Sequence, residues 1–504
     1  MKNIPDLKIG VIVGSTDWLP LDVAIAQRGK LIETYKFIYG DDGVYECPVC
    51  ITDNELSIKR VMKDISKAEC DAVCLYWANY GPESAGTLFA KEFDGPVMLF
   101  AAADEGEEPF ERERLDGMSG FINACYALKL RSTNAYIPDS PVGTLQECAG
   151  MIHDFMPIAR TLIAVKDLKI ISIGPRPSSY LAAFSPNHLL YNLGVEISEY
   201  SELELLESFN KHEGDARIDK IVNDMTQELS ENGNKYPSIL PKLAQYELTV
   251  EDWIRNHKGN RKYVTMTSTC WPAFPVNFGF VPCFVNSRLT GKGIPVACEV
   301  DVYGAISEYI GQCVSNDVVT ILNLNNNVPK SVYDDRIKGI QFNGKEYSNS
   351  DLFLGYHCGV TCSSKLVSPS LELHNINNQL IGEEKSKGTI QGQIIPGAVT
   401  IFRLQGTSDG KLKAYVAQGQ VLPVSVKTYG GYGVIAIPEM ERFLRHVVLE
   451  KQFPNHATIV FGHYGKELVS IMKLLGVDEI EYNHPKEIPY RNENGFNSNN
   501  NNWY

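Results

Sequence analysis

One short sequence pattern occurs twice and indicates the fold class: LKIGVIVGS at residues 7–15 and LKIISIGPRPSSY at residues 168–180. Each copy is an apolar run that ends in a polar loop containing Gly. Such a run is typical of a strand buried on both faces of a parallel sheet. The repetition predicts that each copy begins a separate α/β domain.

The residues after the first copy support this prediction. ELSIKRVMKDISKA at 55–68 has apolar residues at helical spacing, and residues 19–38 also suggest a helix. DAVCLYWANY at 71–80 and GPVMLFAAADEG at 95–106 are further buried strands that end in polar loops. Functional groups of parallel sheets gather at the carboxyl ends of the strands, so these loops are candidate site positions.

The sequence pattern changes after about residue 320. GTIQGQIIPGAVTIFRLQGTSDGKLKAYVAQGQVLPVSV at 388–426 alternates short β-like runs with turns, which predicts an antiparallel meander or a small barrel. The fold class expected is therefore α/β, with two Rossmann-like parallel-sheet domains followed by a β-rich, barrel-like C-terminal domain. The expected boundaries are 1–165, 166–320 and 321–490, with a flexible tail at 491–504.

Composition narrows the function classes. The chain has 504 residues, of which 44% are hydrophobic and 21% charged, as in an ordinary globular protein. Its net charge of −14 disfavours general nucleic-acid binding. We expect no signal peptide, and because no run approaches about 18 consecutive apolar residues, we expect no helix that spans a membrane. The 12 cysteines are scattered, largely in apolar runs, which fits reduced thiols and a cytoplasmic location.

Most familiar catalytic motifs are missing from the sequence. A Walker A loop, GxGxxG after the first strand, GxSxG and HExxH are all absent. The remaining candidates are dispersed at predicted strand ends: Glu299, Asp301, His357, His456 and His463. A carboxylate with imidazoles from separate strands suits a divalent metal, although each residue taken alone is more often a surface or hydrogen-bonded core group.

Four segments in a fixed order support these candidates as site residues. They are ACEVDVYGA at 297–305, VVTILNLNNN at 318–327, YHCG at 356–359 and FPNHATIVFGHYGKEL at 453–468. In order and spacing they resemble the L-fucose isomerase and L-arabinose isomerase superfamily. The resemblance implies two α/β domains followed by a β-rich domain. It also implies aldose–ketose isomerisation with a bound divalent metal, usually Mn²⁺, and assembly into homohexamers.

The resemblance also implies roles for single residues. Glu299 corresponds to the first metal-binding carboxylate, which is also a proton-transfer group, and His456 to the C-terminal histidine ligand. His357 corresponds to a histidine that binds metal in arabinose-type members. We rank it first as a sugar contact, second as a metal ligand and third as a core group. Trp77 corresponds to the aromatic wall that one subunit places against a neighbour's sugar, and Trp18 is a second candidate for sugar contact.

One position departs from the family pattern. The second carboxylate of the family is expected 24 residues after Glu299, where this chain has Asn323. An amide oxygen can bind a hard cation, but an amide cannot act as a base. Asp301 is then the nearest group in sequence that could move the hydroxyl proton. If the strand continues through this segment, Glu299 and Asp301 point the same way.

The leading hypothesis is a metal-dependent isomerase of a hexose, a deoxy-hexose or a sugar modified at C6, acting through a cis-enediol. The metal is Mn²⁺ by resemblance, held by Glu299, Asn323 and His456, although Co²⁺ and Zn²⁺ suit the same donors. The main alternative is a catalytically silent sugar-binding or regulatory protein on the same scaffold. A weaker one is a metal-dependent lyase or hydrolase. The expected partners are a small sugar and further copies of the chain, without nucleic acid or membrane.

Overall fold

A computed structural model describes residues 2–104, 116–491 and 493. The chain forms two compact units, one over residues 4–164 and the other over residues 1–3 and 165–504. Each unit has its own hydrophobic core. The tail predicted over 491–504 lies outside the described residues, apart from Arg491 and Glu493.

The first unit is a five-stranded sheet whose strands are all parallel, in the order β2-β1-β3-β4-β5. The strands are β1 (Ile9–Val13), β2 (Val44–Glu46), β3 (Ala72–Trp77), β4 (Val97–Ala102) and β5 (Val142–Gly143). Every residue of β1 and β3 is buried, as expected for a sheet covered on both faces.

Five helices accompany this sheet. They are α1 (Leu21–Tyr39), α2 (Leu56–Lys67), α3 (Glu83–Glu92), α4 (Gly117–Leu130) and α5 (Leu145–Lys166). Among the described residues, α5 alone is long and apolar enough to cross a membrane by length and composition. Its Ile152, Phe155 and Ile158 are buried, and Phe155 stacks on Tyr136. These residues of the helix therefore pack inside the protein.

The second unit begins with a four-stranded parallel sheet in the order β7-β6-β8-β9. Its strands are β6 (Leu168–Ile173), β7 (Glu196–Tyr200), β8 (Tyr263–Thr267) and β9 (Val296–Ala297). The helices of this part are α6 (His188–Tyr191), α7 (Glu202–Lys211), α8 (Ile218–Gln227), α9 (Leu240–His257), α10 (Ala273–Phe278), α11 (Cys283–Gly291) and α12 (Val302–Ser315).

A nine-stranded sheet follows, and six of its strands close into a barrel. Its strands are β10 (Val319–Asn326), β11 (Leu352–His357), β12 (Leu366–Leu373), β13 (Lys387–Ile394), β14 (Gly397–Gly406), β15 (Leu412–Leu422), β16 (Gly431–Ala436), β17 (His456–Phe461) and β18 (Glu479–Tyr482). The ring runs β16-β11-β10-β17-β14-β15, and β15 pairs back to β16. Closure removes the exposed strand edges of these six strands. The α/β fold class with a barrel-like C-terminal part is confirmed.

Four short helices join these strands: α13 (Lys330–Arg336), α14 (Asn375–Ile381), α15 (Met440–Phe443), which continues as a π-helix over Leu444–Leu449, and α16 (Gly465–Leu474). The helix that matters most for the site is α12, which is buried from Val302 to Val314. It contacts β8 and β9 of the parallel sheet and β10, β14 and β17 of the barrel. The residues just before α12 therefore lie where the parallel sheet and the barrel meet.

Candidate active site

Glu299 lies in a sharp turn between β9 and α12. The strand ends at Ala297, and Glu299 and Val300 both have positive φ angles, of 58° and 59°. Left-handed backbone at residues other than Gly costs about 1–2 kcal/mol each and is concentrated at functional sites. The expectation that one strand carries Glu299 and Asp301 on the same face is wrong, because the strand has already ended.

The turn separates the two carboxylates. The Glu299 side chain is 19% exposed and that of Asp301 is 2% exposed. Asp301 is the N-cap of α12, where its Oδ1 accepts from the backbone N–H of Gly304 at 2.8 Å. Arg403 also donates to both of its oxygens, at 2.6 and 2.9 Å. Glu299 can reach a ligand, whereas Asp301 is occupied.

His456 lies between these two carboxylates. Its Nδ1 is 2.8 Å from Oδ2 of Asp301, and its Nε2 is 3.2 Å from Oε2 of Glu299. Burial lowers the pKa of His456, but the hydrogen bonds and charges of Asp301 and Glu299 outweigh burial and raise it to about 9. A histidine whose Nδ1–H is held by a carboxylate has its Nε2 fixed for a metal ion, which is a common arrangement in metalloenzymes.

Neighbouring charges also shift the pKa values of Glu299 and Asp301. Burial raises the pKa of Glu299, but the hydrogen bond and charge of His456 outweigh it and leave this pKa below its ordinary value. Asp301 is buried more deeply, yet Arg403 and His456 hold its pKa well below the ordinary value. Both carboxylates are therefore ionised at neutral pH. Glu299 is the one with access to solvent.

His357 ends β11 and is buried beside His456, with 5.5 Å between the ring centroids. Burial, followed by the charge of His456, lowers its pKa to about 3, so the ring is neutral. Its Nδ1 accepts from the backbone N–H of Cys358 at 2.9 Å, which leaves the ring proton on Nε2. Glu299, His357 and His456 each offer one possible ligand atom, and these atoms lie within 4.8 Å of one another.

Asn323 lies on β10 between the strands that carry the two histidines. In the register of the barrel it pairs with Tyr356 on one side and with His456 on the other. Its Oδ1 accepts from Nδ2 of Asn455 at 3.1 Å. The side chain is thus connected to the site through the residue that precedes His456.

Tyr180 is a site residue that the sequence reasoning did not single out. Its hydroxyl is 3.0 Å from Nε2 of His456 and donates to Oδ1 of Asn455 at 2.9 Å. Burial, followed by the charges of Glu299 and Asp301, raises its pKa, so the phenol keeps its proton at neutral pH. The available signal was its position in the polar loop after β6, at the carboxyl end of a parallel strand.

The two tryptophans of the first unit differ in exposure. Trp77 is 1% exposed, and Cβ atoms added at Gly81 and Gly86 would lie 2.8 Å or less from its indole ring. Trp18 is 68% exposed, and its ring lies 5.4 Å from that of Tyr80. Trp77 is enclosed by its own unit, and Trp18 is the one with a face free for a ligand.

The donors present fit a divalent cation. Glu299 offers a carboxylate oxygen, His456 an oriented Nε2, and Asn323 an amide oxygen on the residue that pairs with His456 in the barrel. Oxygen and imidazole donors suit Mn²⁺, Co²⁺ or Zn²⁺. His357 offers a ring N–H instead, because its Nδ1 is already an acceptor.

Comparison with known proteins identifies the family. A family model described as the fucose/sulfoquinovose isomerase N-terminal domain matches residues 10–166, and one described as the L-fucose isomerase C-terminal domain matches residues 355–483. The chain belongs to the L-fucose isomerase-like family. It is a sugar isomerase by this membership. The family models include Trp18, Trp77, His357 and His456, whereas Glu299 and Asn323 lie between the matched segments.

Similar proteins of this family are named sulfoquinovose isomerases. That of Clostridium sp. (strain MSTE9) is 23% identical over 384 residues, which are 74% of this chain and 77% of that protein. That of Priestia aryabhattai is 24% identical over 330 residues, 64% of this chain and 67% of that protein. That of Alkalicoccus urumqiensis is 22% identical over 395 residues, 77% of this chain and 80% of that protein.

Proposed function

We propose that this protein is a metal-dependent aldose–ketose isomerase whose substrate is a hexose modified at C6. The reaction type is supported by one observation: the carboxylate of Glu299, which a ligand can reach, faces the imidazole of His456, which Asp301 orients. The relatives named sulfoquinovose isomerases support the substrate class. Sulfoquinovose, a glucose with a sulfonate at C6, is therefore the first candidate.

Glu299, His456 and the amide oxygen of Asn323 would hold the cation, with Mn²⁺ as the first choice by family resemblance. Bound there, a divalent cation would polarise the sugar oxygens O1 and O2 and stabilise the negative charge that develops on them. Asp301 acts indirectly: it holds the Nδ1–H of His456 and so keeps Nε2 pointing at the site.

Glu299 would move the carbon-bound proton. It takes the proton from C2 of the aldose, which leaves a cis-enediol, and returns it to C1 to form the ketose. A hydroxyl proton must move in the same direction, from O2 to O1, because O1 becomes a hydroxyl and O2 becomes a carbonyl. Tyr180 would give a proton to O1 and recover one from O2, so that no proton is gained or lost overall.

Two further residues would bind the sugar. His357 keeps its ring proton on Nε2 and would donate it to a sugar hydroxyl, which supports sugar contact ahead of the role of metal ligand. Trp18 offers an exposed indole that could stack on the apolar face of a sugar ring. Trp77, the residue favoured from the sequence, is buried and has no such face.

The alternative of a silent sugar-binding protein rests on Asn323, because the family's second carboxylate is missing there. The two functions are separated by incubating chelator-treated protein with Mn²⁺ and sulfoquinovose, with L-fucose as a second substrate, and following ketose formation by NMR. We expect ketose from sulfoquinovose. Sugar binding without ketose would establish the silent alternative.

The metal site is tested separately by Mn²⁺ affinity. Glu299→Ala and His456→Ala should each weaken Mn²⁺ binding by more than about 10–100-fold, the loss usual for residues that only support a ligand. Glu213→Ala, at an exposed position, is the matched control. Unchanged affinity in both site variants would show that the cation binds elsewhere.

Location and assembly complete the proposal. We propose a cytoplasmic location, because the 12 cysteines are thiols rather than disulfides. By family resemblance we propose a closed homo-oligomer, most simply a hexamer, in which Trp18 of one subunit serves the sugar site of a neighbour.

A further inference from the structure

A second cluster of metal-binding side chains lies in the same unit as the isomerase site. It brings together Cys270 in the loop after β8, Cys283 at the start of α11, Cys298 just after β9 and His374 at the start of α14. All four side chains are buried. None of them has a role in the proposed isomerisation.

The geometry of this cluster centres on Cys270. Its thiol interacts with the thiols of both Cys283 and Cys298. Cys270, Cys283 and His374 each offer a ligand atom, and these atoms lie within 4.8 Å of one another. Sulfurs bound to one tetrahedral Zn²⁺ at about 2.3 Å are themselves about 3.8 Å apart, so a shift of about 1 Å would bring the sulfurs of Cys270 and Cys283 to that spacing.

His374 lies beside the sulfurs. Its Nε2 is 4.0 Å from Sγ of Cys270, and its Nδ1 accepts from the backbone N–H of Asn377 at 3.2 Å. In a neutral ring this arrangement leaves the proton on Nε2, facing the sulfur. The imidazole is therefore suited to donate a hydrogen bond to a thiolate, and the sulfurs are the primary donors.

We propose that Cys270, Cys283 and Cys298 form a thiolate site for a thiophilic divalent cation such as Zn²⁺, distinct from the isomerase site. Three sulfurs from separate elements favour a soft cation over Mn²⁺, which prefers oxygen. The site would be structural and closed, because its donors are buried. It would tie the loop after β8 to α11 and to the residue that precedes Glu299.

Cobalt is a suitable probe, because Co²⁺ bound by thiolates has an intense sulfur-to-metal charge-transfer absorption that oxygen and nitrogen ligands do not produce. A buried site is best filled during folding, so the chain is produced in cells grown with Co²⁺ and purified under reducing conditions. We expect the charge-transfer band in the wild-type protein. It should also remain in Glu299→Gln, which separates this site from the isomerase site.

Cys270→Ser should remove the band or lower the affinity of the sulfur site by about 100-fold or more. Cys74→Ser replaces a buried cysteine of the first unit and is the matched control, in which the band should be unchanged. Cys283→Ser provides a second test if the Cys270 variant does not fold. A folded wild-type protein without the band, or an equal band in a folded Cys270 or Cys283 variant, would overturn the proposal.

Discussion

Tyr180 is the residue that links the isomerase proposal to a group outside the family pattern. Its phenol keeps its proton and lies 3.0 Å from Nε2 of His456. Tyr180→Phe removes the hydroxyl and keeps the ring, so Mn²⁺ affinity should change little. If the hydroxyl moves protons between O1 and O2, kcat should fall by about 10²-fold or more, the usual contribution of general acid–base catalysis.

The measurement is kcat, KM and Mn²⁺ affinity for wild type and Tyr180→Phe. Tyr126→Phe is the control, because Tyr126 is exposed and far from Tyr180 in sequence. A rise in KM with unchanged kcat would contradict the proton-transfer role and leave Tyr180 as a binding residue.

Glu308 is a buried acid on α12 with a strongly altered titration. Burial, followed by the charge of Asp301, raises its pKa from 4.5 to about 8. The folded state therefore favours the protonated acid. Its contribution to stability is complete below about pH 4.5, declines as the pH rises and is lost above about pH 8. Glu308→Gln removes this titration.

Wild type and Glu308→Gln are compared by urea unfolding at about pH 5 and about pH 9, in a chelating buffer. The wild type should lose more stability between these pH values than the variant, by up to about 4 kcal/mol for a pKa shift of this size. A difference in the free energy of unfolding that is the same at both pH values does not test the prediction. An equal alkaline loss in both would contradict it.

At the scale of elements, Asp301 joins three parts of the second unit. It caps α12, holds His456 at the start of β17 and pairs with Arg403 on β14. Asp301→Asn keeps the shape but leaves the buried guanidinium of Arg403 without its counter-charge. Breaking a buried pair typically costs about 3–5 kcal/mol. Mn²⁺ affinity should also fall, by about 10–100-fold, as His456 loses its orientation.

Unfolding midpoints and Mn²⁺ titrations of Asp301→Asn test both effects. Asp334→Asn is a control because the Lys338–Asp334 pair is 3.7 Å apart and largely exposed, and such pairs contribute little. Wild-type stability in Asp301→Asn would show that the link between α12, β14 and β17 does not depend on this charge.

Strands could be predicted from the sequence, whereas the contacts between side chains of different elements could not. Continuous apolar runs predicted β1, β3 and β6, because burial on both faces leaves a direct mark on composition. The turn at Glu299 left no such mark, since its positive φ occurs at residues other than Gly. The pairing of Asp301 with Arg403 spans 102 residues, and that of Tyr180 with His456 spans 276.

The tryptophans show the same limit. Trp77 and Trp18 both stand near the ends of predicted strands, and nothing in the sequence ranks their exposure. The structure encloses Trp77 by the close approach of Gly81 and Gly86 and leaves Trp18 exposed. Glu299, His357 and His456 could be chosen from family motifs, and the structure brings their ligand atoms within 4.8 Å.

At the scale of the whole molecule, the prediction concerns assembly. If Trp18 of one subunit completes a neighbour's sugar site, Trp18→Ala should raise KM and leave unfolding unchanged, because this side chain is exposed. Trp77→Ala should instead destabilise the first unit by about 3–5 kcal/mol, the usual cost of deleting a buried aromatic side chain. Light scattering checks the assembly itself. A fully active monomer at micromolar concentration would contradict the shared site.

The central claim is that Glu299 moves a proton between C2 and C1 of a sugar. It is tested most directly by following deuterium incorporation from D₂O into sulfoquinovose and its ketose by NMR, with Mn²⁺ present. Because the Glu299 side chain is 19% exposed, the proton that it carries can exchange with solvent. The account therefore predicts deuterium at C1 of part of the ketose with wild-type protein, and a loss of exchange of about 10²-fold or more in Glu299→Gln. Exchange and isomerisation at the wild-type rate in folded Glu299→Gln would contradict it.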